Sequence, residues 1–152
     1  MQLTKATYTP PDLYKGVSVC LKNQKYDMAA QLFVVAGLYY RFDGERIKDR
    51  TAAQGGRVLI MQTFATVQQD VKTNFGAALD RLLKNQDQLA ALCGQIRVIG
   101  APNYFPRYMV LHGIAAFTKA DPLTNALVES FDAPATWLRL LDNQIHCPKS
   151  DK

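Results

Sequence analysis

Apolar side chains in this chain recur every three or four residues in segment after segment, and nowhere do they alternate convincingly with polar ones. That spacing buries one face of an α-helix, whereas a half-buried strand needs a period of two. Two segments also carry the punctuation of helix starts. Thr9 stands before Pro10 and Pro11, a capping residue followed by prolines whose missing N–H groups are no loss in a first helical turn. Asp132 stands likewise just before Pro134. The fold class that follows is all-α, a compact bundle of about six to seven helices.

The first helix has Leu13, Val17, Cys20 and Leu21 on its inner face. After a turn at 23–25, the second runs over 26–41 with Met28, Leu32, Val35 and Tyr39 at the same period. It is apolar on nearly every side, so it is expected at the centre. Phe42, Asp43 and Gly44 break the pattern, and Asp43 is expected to cap a third helix with Val58, Met61, Phe64 and Val67 inside. Gly55 and Gly56 fall within that helix, where each costs about 1 kcal/mol, so they mark a break, a kink or a close helix crossing. A fourth helix over 70–84 (Phe75, Ala78, Leu79, Leu82) and a fifth over 87–99 (Leu89, Leu92, Cys93, Ile96) are amphipathic. Pro106 is expected to open a sixth over 106–118, after a turn built from Gly100, Pro102 and Asn103. The last helix places Trp137, Leu140, Leu141 and Ile145 on one face. With 48% hydrophobic residues in 152, no Pro/Ser-rich linker and no low-complexity tract, a single domain over 1–152 is expected, with 1–8 and 148–152 as mobile tails.

Tyr26, Ala29, Phe33 and Ala36 recur at a small-and-aromatic spacing that lets two helices pack closely. Through these residues the first two helices, about a quarter of the chain, resemble one hairpin of the tetratricopeptide or Sel1-like families. A shift of roughly 34 residues, the tetratricopeptide period, sets Thr63 opposite Ala29 and Val67 opposite Phe33, so one hairpin and no array is indicated. The resemblance implies a helical scaffold of the kind that binds proteins through a concave face.

The net charge of +5 is concentrated near the N-terminus, where Lys5, Lys15, Lys22 and Lys25 face only Asp12. Such a bias suits nucleic acid, an anionic membrane surface or an acidic protein. No apolar run approaches the ~20 residues of a spanning helix. The opening MQLTKATYTPP lacks the basic and apolar regions of a signal peptide and is read as a start methionine before a mature terminus. Cys20, Cys93 and Cys147 are too dispersed for a zinc or redox motif. In an oxidising compartment a Cys93–Cys147 disulfide would secure the C-terminal tail; in the cytosol all three would stay thiols.

Motifs for catalysis are missing: there is no GxSxG, HExxH, Walker loop or GxGxxG, and no metal or cofactor site is read. Three groups remain as candidates. His112 and Tyr108 lie four residues apart on the 106–118 helix, whose apolar residues (Met109, Val110, Ile114, Phe117) surround it, so a buried polar site is expected there. Gly113 would let a neighbour approach closely. Asn103, Tyr104, Phe105 and Arg107 crowd the preceding turn, where loop aromatics suit a contact surface. In RFDGERIKDR, Glu45 and Asp49 are placed on one helical face among Arg41, Arg46, Lys48 and Arg50, an ion-paired face that could also meet a protein.

The expected function is therefore a non-enzymatic helical domain that binds another protein, of the type of an extracytoplasmic inhibitor or an immunity partner of a bacterial effector, periplasmic or secreted. Two alternatives are kept. One is a nucleic-acid binder using Lys15, Lys22, Lys25, Arg46, Arg50 and Arg57. The other is an enzyme built on a His112 pocket, with a cytoplasmic location as the alternative compartment.

Overall fold

A computed structural model describes residues 5–148 of the chain. Among these residues there are eight α-helices and no named strand, so the class is all-α. Helix α1 (Pro10–Lys22) begins as its sequence indicates: Asp12 accepts hydrogen bonds from the Thr9 N–H at 2.9 Å and the Thr9 hydroxyl at 2.7 Å, ahead of two prolines. Asn23 ends it by donating its side-chain amide to the Val19 carbonyl, and Gln24 turns the chain at φ +56°.

Helix α2 (Tyr26–Arg46) is the central element and packs on α1, on α4 (Gln69–Lys84) and on α8 (Ala133–Gln144). Ala29 and Ala36 are fully buried, and Phe33 meets Tyr14, Phe64 and Phe75 edge-on. The helix does not break at Phe42, Asp43 and Gly44 but continues to Arg46. Phe42, Asp43 and Arg46 are all buried, and their contacts offset the roughly 1 kcal/mol that Gly44 costs a helix. Asp43 is consequently not a cap.

The cap is Asp49, which accepts from the N–H and hydroxyl of Thr51 at the start of a 3-10 turn, Arg50–Ala53. Helix α3 (Gln54–Phe64) follows directly, with Gly55 and Gly56 in its first turn. Both glycines mark a close approach. A Cβ on Gly56 would stand 2.0 Å from the Tyr40 ring, and one on Gly55 3.1 Å from the His112 ring. Met61, expected inside, is exposed, and Thr63 is buried with its hydroxyl on the Leu59 carbonyl.

Helices α4, α5 (Gln86–Ile99) and α8 bury the residues their periodicity selects: Phe75, Ala78 and Leu82; Leu89, Leu92, Cys93 and Ile96; Trp137, Leu140 and Leu141. Cys93 and Cys147 are joined in a disulfide, and Cys20 is a buried free thiol. Of the expected tails, 1–4 and 149–152 lie outside the described residues, but Ala6 is tied down, its carbonyl accepting from the Asn103 N–H at 3.2 Å.

The largest departure lies at 106–118. The expected buried helix is two single turns, α6 (Arg107–Val110) and α7 (Ala115–Thr118), separated by a bend. Met109 and Val110 are buried in a small second core with Ile47 and Ala52. Leu111, His112, Ile114 and Phe117 face water. An apolar run with two glycine-and-proline boundaries reads as core on composition, but here only every few residues find cover.

Candidate functional site

The segment from Gly100 to Val128 contains only two short helical turns, so its backbone must be held by something other than its own ladder. What holds it is the stretch from Asp43 to Thr51. Asp43 is fully buried, and its Oδ1 accepts from Nε and Nη2 of Arg46 at 3.0 and 2.6 Å. Its Oδ2 accepts from the hydroxyls of Tyr104 and Tyr108 at 2.8 and 2.9 Å. The Arg46 guanidinium lies between the Phe42 and Tyr104 rings, about 5 Å from each centroid. Tyr39 completes the wall by donating to the Gly100 carbonyl at 3.1 Å.

Four residues further on, the chain makes a second set of anchors. Ile47 forms an isolated bridge with Leu127, flanked by hydrogen bonds from Lys48 to the Ala126 carbonyl and from Val128 to the Arg46 carbonyl. Asp49 Oδ2 accepts from the Ala115 N–H, and the Thr51 hydroxyl oxygen accepts from the Ile114 N–H, each at 2.9 Å. Gly113 makes this possible: a Cβ there would stand 2.3 Å from the Asp49 carboxylate. The close approach expected at Gly113 is thus real, to a carboxylate rather than to a helix.

Burial sets the protonation of the cluster. The Asp43 carboxyl is pushed up by desolvation, against the pull of Arg46 and of the two phenols. Tyr104 and Tyr108 are driven far up, first by burial and then by the Asp43 charge, and Tyr39 is pushed up to about 12 by burial and then by Asp43. These phenols are fixed donors. Asp49 behaves oppositely: the hydrogen bond from the Thr51 hydroxyl, then that from the Ala115 N–H, hold its carboxyl below the usual range.

No family model, no curated protein and no solved structure matches this chain.

The sequence candidates separate into two groups. Tyr104 and Tyr108 point inward to Asp43, while Asn103, Phe105 and Arg107 are exposed, so the aromatic turn is half anchor and half surface. Arg46 is buried at 8% exposure, which corrects the expectation of an exposed, ion-paired face and removes it from any nucleic-acid surface. Glu45 and Asp49 do not share a face, because α2 ends at Arg46: Glu45 pairs with Arg139, and Asp49 caps the 3-10 turn. Arg41 is exposed. His112 is no buried polar site. Its ring is exposed, lies against Gly55, and its Nδ1 sits 2.7 Å from the Tyr108 carbonyl oxygen, while the Tyr108 hydroxyl goes to Asp43.

Asp43, Thr51, Leu111, Ile114 and Phe117 are the residues that sequence reasoning missed. A signal existed for Asp43, since it falls seven residues after Ala36 on the same buried stripe of α2. Among the described residues, no group of three or more His, Cys, Asp or Glu side chains could hold a metal ion, and no helix is long and apolar enough to cross a membrane.

Proposed function

We propose that this chain is a non-enzymatic, protein-binding helical domain acting outside the cytoplasm, of the type of an inhibitor or immunity partner of an effector protein. One observation carries the reading. The 103–118 segment is fixed from beneath, its Tyr104 and Tyr108 hydroxyls by Asp43 and its Ile114 and Ala115 N–H groups by Thr51 and Asp49, while Leu111, Ile114 at 61% and Phe117 at 85% exposure are turned to water. Large apolar side chains on a surface are a cost in solution and an asset in an interface. Holding them on a pre-set backbone lowers the ordering cost of association. The Cys93–Cys147 disulfide supports an oxidising compartment, and it is the polar C-terminal end that it secures.

The reading is tested by purification from the native host. A stoichiometric protein partner is expected with the wild-type chain and is expected to be lost with the Ile114→Ser/Phe117→Ser double variant. A lone monomer from both would reject protein binding. Three reactive thiols in protein from the soluble cytosolic fraction would reject the compartment, whereas the disulfide leaves only Cys20.

A further inference from the structure

We draw no further inference here: the strongest candidate, a cleft of about 440 Å³ between the end of α1, the end of α3 and the start of α4, is lined by Lys22, Gln62, Thr66 and Gln68, all exposed, beside a helix N-terminus with no side-chain cap, and no second observation in the structure shows what ligand it would take.

Discussion

The helical body and the 100–128 segment are held by opposite kinds of force. In the body, apolar residues at helical spacing meet in one large cluster around α2, and the aromatic contacts of Phe33, Phe42 and Trp137 run through it. In the segment, the apolar contribution is the small group of Ile47, Ala52, Met109 and Val110, and position is set by hydrogen bonds that the segment donates to Asp43, Asp49 and Thr51. An apolar core tolerates local rearrangement because dispersion and water exclusion have no direction. Hydrogen bonds to a carboxylate do have direction, and this is how a nearly helix-free segment acquires one shape.

Removing Asp43 should produce the largest effect and strike the segment first. Asp43→Ala leaves the buried Arg46 guanidinium without its carboxylate and two phenols without an acceptor, a loss of about 3–5 kcal/mol. Urea unfolding measures the total. Hydrogen exchange decides where it falls: amides of 103–118 should lose protection before those of α2 and α4. Equal loss in both regions would break the distinction between them.

Reducing the disulfide should act on the other side of the comparison. The bond closes a loop of 54 residues between α5 and the end of α8, and its loss, as in Cys93→Ser/Cys147→Ser, should lower stability by about 2–4 kcal/mol. Protection of 103–118 relative to the body should then be unchanged, since no anchor of the segment involves either cysteine.

This division also explains how much could be read in advance. Helices α1, α4, α5 and α8 were legible because each repeats one apolar face, and α1 and α8 also open on a capping residue ahead of proline, Thr9 and Asp132. The Cys93–Cys147 pair was legible as the staple for a polar end. The candidate site was legible only as a neighbourhood. Arg46 and Asp43 look like solvated charges in RFDGERIKDR, because sequence distance hides that Tyr104 and Tyr108, some 60 residues later (separations of 61 and 65), supply their cover. Ile114 and Phe117 look like core for the converse reason: hydrophobicity alone cannot tell an anchored surface residue from a buried one.

Asp49 sharpens the comparison through pH. Its folded carboxyl is held below the ordinary value near 4, so its contribution is fully present above that value and is lost as pH falls through the depressed folded value. Asp49→Ala should cost about 1 kcal/mol at neutral pH, the scale of a lost cap. The difference from wild type should shrink progressively below about pH 4. Asp43 has the opposite sign. Burial raises its carboxyl, so between the ordinary and the raised value the folded state holds the proton more tightly, and stability there falls as pH rises. Arg46, Tyr104, Tyr108 and Tyr39 are the groups that bear on it. On acidification the Asp49→Ala urea midpoint should therefore close on that of wild type, while the Asp43→Ala midpoint should fall further below it between the raised and the ordinary value.

The smallest effect on stability belongs to the residue given the greatest weight in function. Phe117 is 85% exposed and sits outside both apolar clusters, so Phe117→Ser should change the unfolding free energy by no more than about 0.5 kcal/mol. The same change should abolish partner capture. A clear drop in stability would mean that the ring is covered in the isolated protein, and a covered ring cannot be the anchor presented to a partner. An unchanged midpoint with lost binding would show that the polar scaffold of Asp43, Asp49 and Thr51 keeps its shape without the ridge it supports. The dependence would then run one way only, from the buried carboxylates outward to the contact surface.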